Sequence, residues 1–131
     1  MRGFPPGVKL LTEVNVDNGF SSAAIVINNN GMGYGDDELR AHLLTSYLRT
    51  LVDLEQAPQA ILLYAEGVKM ATLESVCRVQ LDELSDRGAL IIISRTCLEH
   101  YGLLEKVPSP EIGNMAMIAE AQSTAEKVVT L

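Results

Sequence analysis

The sequence predicts one α/β domain of three layers, in which a mostly parallel sheet of about five strands lies between helices. Short, continuous apolar runs recur along the chain, as expected for strands that are covered on both faces. Amphipathic segments of helical period separate these runs. The length of 131 residues, of which 47% are hydrophobic, suits a single packed domain. Strand–helix alternation implies right-handed crossovers and helices on both faces of the sheet.

Four apolar runs predict strands at residues 23–28, 60–65, 89–94 and 126–130. The segment 107–111 contains two prolines and is predicted to be a connection or a short edge strand.

Three longer helices are predicted at 36–54, 72–87 and 114–125, and a short one ends near Gly102. The first helix begins after acidic residues and carries an apolar stripe, made of Leu39, Leu43, Leu44, Tyr47, Leu48 and Leu51. Thr72 is the predicted N-cap of the second helix, with Gly88 as its terminating glycine. The apolar side of this second helix consists of Leu73, Val76, Cys77, Leu81 and Leu84. Asn114 is the predicted cap of the last helix.

The domain is expected to span residues 21–131. Residues 1–20, which hold an apolar run between proline and glycine residues, are expected to form an N-terminal arm or an edge strand.

Charge and composition exclude several classes of function. The formal net charge is −7 and the basic residues are scattered, which argues against nucleic acid and against an anionic membrane surface as partners. The sequence has neither a membrane-spanning apolar stretch nor the apolar core of a secretory signal. Its two cysteines do not form a disulfide framework, and a cytoplasmic location is expected.

In parallel sheets, ligands gather where the loops after the strands meet, here 31–38, 65–71 and 94–101. The first loop carries Gly33, Gly35 and Asp36. Its glycines lack the spacing of a dinucleotide or P-loop motif, and acidic residues follow them. Two interpretations stay open for this loop: a structural turn with helix capping, or a contact to an anion or substrate.

Cys97 follows the third strand at the start of a short helix, a position that favours the reactive thiolate, with Arg95 and His100 close in sequence. It is a candidate nucleophile or sulfur carrier; the alternative is an inert thiol buried beneath the loop. Cys77, on an apolar helix face, is predicted to be core packing.

We predict no metal site, because neither histidine has a second ligand at metal-binding spacing. His42 lies opposite the apolar stripe and is expected to be solvated. Met70, Met115 and Met117 are expected in packing or subunit contacts. No organic cofactor is expected.

Several segments together resemble the DsrE/DsrF-like family, and most closely the C-terminal domain of YedF-like proteins, which are sulfurtransferase-like and associated with selenium metabolism. The resemblance covers about residues 23–131 in order. Its motifs are Gly33-Tyr34-Gly35-Asp36-Asp37-Glu38-Leu39, Ile61-Leu62-Leu63-Tyr64 with Gly67-Val68-Lys69, Thr96-Cys97-Leu98-Glu99-His100-Tyr101-Gly102-Leu103, and Gly113-Asn114-Met115.

The resemblance implies a DsrE-like three-layer fold, a homo-oligomer, and the handling of persulfide sulfur or selenium with a sulfur-donor or acceptor protein. It places candidate binding residues in the matched segments and their flanks: Gly33, Gly35, Asp36, Gly67, Lys69, Ser94, Arg95, Thr96, His100 and Asn114.

The sequence departs from the family at two places. YedF-like domains usually read C-G-T-C after the third strand, whereas this chain reads Ser94-Arg95-Thr96-Cys97, so that Cys97 alone could carry sulfur. Residues 1–20 contain no cysteine and are too few for the TusA-like domain that precedes YedF-like domains. The leading interpretation is sulfur relay through Cys97. The alternative is a non-catalytic module of the same fold that binds a small ligand or a protein and has lost its relay cysteine.

Overall fold

A computed structural model describes residues 19–131, and residues 1–18 lie outside the description. The predicted arm or edge strand therefore falls almost entirely on undescribed residues. Five strands and four α-helices alternate in the described part: β1 Ala23–Ile27, α1 Asp37–Asp53, β2 Ala60–Leu63, α2 Arg78–Asp86, β3 Leu90–Ser94, α3 Arg95–His100, β4 Ile112–Gly113, α4 Met115–Thr124 and β5 Lys127–Thr130. Short 3-10 helices span Ala65–Ala71, Leu104–Lys106 and Ser109–Glu111.

The strands form one five-stranded sheet in the order β4-β3-β2-β1-β5. All four strand pairs are parallel, which confirms the predicted α/β class. In the centre, Ile25 pairs with Ile61, and Ile61 with Ile91. Because the strands run the same way, the chain leaves β1, β2 and β3 at the same edge.

Helices cover both faces, so the molecule has the three predicted layers. One face of the sheet packs with α1 and α2 in the larger core, which includes Ile25, Ile61, Leu48 and Leu81. The other face contributes Ala24, Val26, Ala60, Leu62 and Ile92, and buries Ile118 of α4 against them. Continuous burial of β1 and β2 explains why both strands are apolar at every position.

The predicted first helix is present, but its apolar stripe is only partly buried. Leu44, Leu48 and Leu51 lie in the core, as expected. Leu39 and Leu43 are exposed, which the sequence analysis did not predict. The first turns of α1 lie beside Gly33 and Gly35 of the glycine loop instead of the sheet, and this explains the difference.

The second helix begins at Arg78, so the predicted start at Thr72 was wrong. Residues Ala65–Ala71 form a 3-10 helix, and Thr72 has an extended backbone at its end. Leu73 and Val76 are 61% and 64% exposed instead of buried. The side chains of Cys77 and Arg78 bond to the last carbonyls of the 3-10 helix, at Met70 and Ala71, so the chain turns back before α2 can begin.

Other local signals are confirmed. Gly88 follows α2 with a φ of +107°, and Gly102 follows α3 with a φ of +68°. The side-chain oxygen of Asn114 accepts the N–H of Met117 at 2.9 Å and caps α4. Residues 107–111 are a connection, and the short edge strand comes just after them. No helix among residues 19–131 has the length and apolar character needed to cross a membrane.

Candidate functional site

The candidate site lies where the chain leaves β1, β2 and β3. Ser94 is the last residue of β3 and the N-cap of α3, and its hydroxyl oxygen accepts the N–H of Cys97 at 3.3 Å. Ser94 is only 2% exposed. Its side chain therefore sets where α3 begins and holds Cys97 in the first turn of that helix.

The sulfur of Cys97 joins two of the loops. Cys97 is half-buried, and its Sγ accepts the N–H of Ala65 at 3.1 Å. Ala65 is the first residue of the 3-10 helix after β2 and has a left-handed backbone, with a φ of +52°. The thiol predicted to react is thus held by the loop after the neighbouring strand, and it is partly buried.

Gly67 explains how the 3-10 helix can lie so close to the sheet. A Cβ at this position would be 1.9 Å from the carbonyl oxygen of Ile27, the last residue of β1. The same carbonyl accepts the N–H of Tyr64 at 3.2 Å, and the Tyr64 carbonyl accepts the N–H of Gly67 at 2.9 Å. Only glycine fits here, and the start of the 3-10 helix is fixed against β1 as a result.

The cationic side chains nearby already have carboxylate partners. Lys69 Nζ lies 3.3 Å from Glu66 Oε1 and 4.5 Å from the ring centroid of Tyr101. Arg95 pairs with Glu99 at 3.6 Å, and both side chains are more than half exposed, so this pair contributes little to stability. His100 and Thr96 are exposed, and the His100 ring packs edge-on against Tyr101.

Cys77 has a contrasting environment, which confirms its assignment to the core. It is fully buried, and its thiol donates to the carbonyl oxygen of Met70 at 3.4 Å. Burial raises the pKa of the Cys77 thiol, against smaller opposing effects of Ser75 and Arg78. The two cysteines therefore hold opposite ends of one 3-10 helix: Cys97 at Ala65 and Cys77 at Met70.

The glycine loop serves as a turn stabilised by α1. Gly33 and Gly35 adopt positive φ, and the carboxylate of Asp36 accepts the N–H of Leu39 at 2.9 Å as the N-cap of α1. Arg40 donates from Nε to the Gly33 carbonyl at 2.9 Å and from a terminal nitrogen to the side-chain oxygen of Asn30 at 3.0 Å. These bonds hold the loop against the first turns of α1.

An open, polar cleft of about 520 Å³ separates this loop from the 3-10 helix. It is lined by Asn29, Asn30, Gly33, Tyr34, Gly35, Asp37, Arg40 and Glu66. Arg40 is the only cationic residue of that lining, and Asp37 and Glu66 are acidic. The cleft therefore has a mixed charge, whereas a phosphate site needs an excess of positive charge.

The predicted site residues thus fall into three groups. The loops after β2 and β3 and the short helix α3 bring together Gly67, Lys69, Ser94, Arg95, Thr96, Cys97 and His100. Gly33 and Gly35, with the helix cap Asp36, belong to the glycine loop across the cleft. Asn114 follows β4 and is occupied as a helix cap.

Sequence reasoning missed Ala65, Glu66 and Arg40. Arg40 sits one turn into a helix, where an exposed arginine is the usual expectation. Alanine gives no local signal for a left-handed backbone, so Ala65 could not be found from its residue type. Among residues 19–131, no group of three or more histidine, cysteine, aspartate or glutamate side chains could hold a metal ion.

Comparison with known proteins identifies the fold. No protein-family model matches the sequence, and a search of curated proteins finds no significant relative. Among solved structures, the chain is similar to the ychN protein from E. coli, with a TM-score of 0.60 and 20% identity over 83% of this chain and 97% of that one. It is also similar to MTH1491 from Methanobacterium thermoautotrophicum, described as a protein of unknown function, with a TM-score of 0.60 and 18% identity over the same shares. The chain therefore has the DsrE-like three-layer α/β/α fold of these structures.

Proposed function

We propose that this protein accepts sulfur on Cys97 as a persulfide and passes it to a protein partner. The observation that carries the proposal is the setting of the thiol: partly buried, in the first turn of a helix capped by Ser94, and bonded through Sγ to the N–H of Ala65. A helix start and an N–H directed at sulfur both suit a thiolate. The likeness of the loop segment to YedF-like proteins supports sulfur, or selenium in its place, as the cargo.

The chemistry needs no external oxidant. The Cys97 thiolate attacks the outer sulfur of a donor persulfide, a new S–S bond forms on Cys97, and the donor's own S–S bond breaks. The donor leaves as a thiolate, and the sulfur atom is carried over at the same oxidation level. Attack by an acceptor thiolate on the outer sulfur of the Cys97 persulfide reverses the exchange and regenerates Cys97.

The proposed setting is a cytoplasmic homo-oligomer that exchanges sulfur with a donor or acceptor protein. A partner protein is preferred to a small donor because Cys97 follows the carboxyl end of β3, close to the exposed residues Arg95, Thr96 and His100.

Ser94 favours a second candidate, a binding module of the same fold. It occupies the position of the first cysteine in the YedF-like loop, and its buried hydroxyl is used for capping. Such a module would use the polar cleft beside Glu66 to bind a small polar ligand or a protein segment.

The test is sulfur uptake. Purified protein is incubated with glutathione persulfide, and intact mass and peptide mapping follow the addition of one sulfur atom. We expect the addition on Cys97, its loss in Cys97→Ser, and its retention in the matched Cys77→Ser variant. Reactivity of Cys97 towards alkylation without any sulfur uptake would favour the binding module instead.

A further inference from the structure

We propose that Ala65 is a positioning residue for the Cys97 sulfur, through its backbone N–H. The inference rests on the proposed function only in treating Cys97 as the reacting thiol, and its test requires no sulfur transfer.

The contact joins two distant parts of the chain. Ala65 precedes Cys97 by 32 residues, and its N–H reaches Sγ at 3.1 Å from the loop after the adjacent strand. The N–H of Ala65 therefore fixes the direction of Sγ.

The N–H is directed at sulfur by an unusual backbone conformation. Ala65 has a φ of +52°, a region that residues other than glycine seldom adopt. The Ala65 side chain is exposed, so its own packing does not impose this conformation. The adjoining contacts at the end of β1 impose it: Tyr64 bonds to the Ile27 carbonyl, and Gly67 lies against the same group. Strain that the surrounding structure maintains next to a reactive group is typical of functional sites.

Substitutions at Ala65 can separate the backbone conformation from the side chain. Ala65→Val disfavours the left-handed region because valine is β-branched, and it should turn the N–H away from Sγ. Ala65→Gly retains the N–H and accepts the left-handed region freely. Since Ala65 is exposed, neither change alters the core.

The measurement is the rate of Cys97 alkylation by iodoacetamide across a range of pH. We expect Ala65→Val to slow alkylation at pH 7 by about three- to tenfold, the effect of losing one hydrogen bond that orients Sγ. Ala65→Gly should keep the rate and the pH profile of the original protein.

Glu55 offers a matched control, because it is the other non-glycine residue with positive φ among residues 19–131, at +57°. It is exposed and lies between α1 and the start of β2, whereas Ala65 and Cys97 come after the ends of β2 and β3. Glu55→Val should lose comparable stability and leave the alkylation of Cys97 unchanged. Equal slowing in Glu55→Val and Ala65→Val would overturn the proposal, as would a folded Ala65→Val with the rate and pH profile of the original protein.

If Ala65→Val does not fold, a second measurement tests the proposal. Amide hydrogen exchange at Ala65 should accelerate in Cys97→Ala relative to the original protein, because the N–H loses its acceptor; unchanged exchange would overturn the proposal. Absence of sulfur uptake with an intact alkylation series refutes only the transfer function. Sulfur uptake with an alkylation rate that does not depend on residue 65 refutes only the positioning role.

Discussion

At the scale of single residues, the two thiols differ in exposure and in hydrogen bonding. Cys97 is partly buried and accepts an N–H, whereas Cys77 is fully buried and burial raises its pKa. A limiting amount of iodoacetamide at neutral pH should therefore label Cys97 well before Cys77 in the folded protein. Peptide mass mapping measures the ratio, with urea-unfolded protein as the control in which both react. Equal labelling in the folded protein would contradict this description of the two environments.

The raised pKa of Cys77 also predicts how stability depends on pH. Burial favours the protonated thiol in the folded protein, so this contribution is fully present below the ordinary thiol pKa, about 8.5. It is lost as the pH rises through the higher folded value. The free energy of unfolding should fall above about pH 8.5, and Cys77→Ala should flatten that fall.

Urea unfolding between pH 7 and pH 10 measures this effect. Burial also raises the pKa of Tyr47, which adds a separate loss at higher pH, so the comparison is made below about pH 10. Cys97→Ala is the control and should keep the fall. A Cys77→Ala variant that loses stability over the same range by the same amount would show that another group is responsible.

The predicted placement of Cys97 at the start of a helix and of Cys77 in the core is confirmed. Ser94 and Gly67 were candidates only through the family resemblance. Ala65 could not be predicted, because its position comes from a backbone conformation imposed by the Ile27 carbonyl. The contacts of Arg40 with the glycine loop could not be predicted either, since they depend on the folded helix.

At the scale of elements, Arg78 joins three segments of the chain. Its guanidinium donates to the Ala71 carbonyl at 2.7 Å, to Asp82 Oδ1 at 2.7 and 3.0 Å, and to both carboxylate oxygens of Glu111 at 3.0 and 2.9 Å. The Arg78 side chain is 5% exposed. It therefore links the end of the 3-10 helix, the start of α2 and the turn before β4.

Removal of the two acidic partners of Arg78 should lower the free energy of unfolding by different amounts. Glu111 is largely buried and binds in a bidentate manner, whereas Asp82 is exposed. We expect Glu111→Ala to lower the free energy of unfolding by about 1–3 kcal/mol, and Asp82→Ala by less than about 1 kcal/mol. Urea denaturation measures both. The reverse order would mean that the Asp82 contact, and not the link to Glu111, carries the stability.

Elements with local signals were predicted well, and those set by distant contacts were not. The starts of α1 and α4 follow from the capping side chains of Asp36 and Asn114, each of which directly precedes its helix in the sequence. The start of α2 depends on bonds to Met70 and Ala71, which form only when the 3-10 helix packs. The prediction from helical periodicity alone therefore placed the start of that helix too early in the sequence.

At the scale of the whole molecule, the sheet face under α4 is incompletely covered. Leu90, Val128 and Met117 on this side are about half exposed. Helix α4 carries one charged residue, Glu120, and buries only Ile118. A second copy of the chain is the occupant we expect, since an apolar face of this kind is typical of subunit interfaces.

We expect light scattering to show a mass above that of one chain at tens of micromolar. Leu90→Lys should reduce that mass, because it places a charge in the apolar face. Leu73→Lys is the matched control: Leu73 is similarly exposed, but it lies before α2 on the other side of the sheet. A monomer for the unmodified protein would contradict the prediction.

The class, the parallel sheet and the three layers were all predictable, because alternating apolar runs and amphipathic helices leave few other arrangements. Two solved structures with the same fold agree with that prediction. The cleft and the Ala65–Cys97 bond were not predictable, since both depend on how closely separate loops approach.

The strand order has a consequence for how the protein is made. β1 lies between β2 and β5, so the first described strand of the chain pairs with the last one. During synthesis, β1 and β2 leave the ribosome long before residues 127–130, so one hydrogen-bonding edge of a fully apolar strand stays open until then. Nascent chains that stop short of β5 would expose this unpaired edge to one another, and we expect such chains to be bound by chaperones or to aggregate.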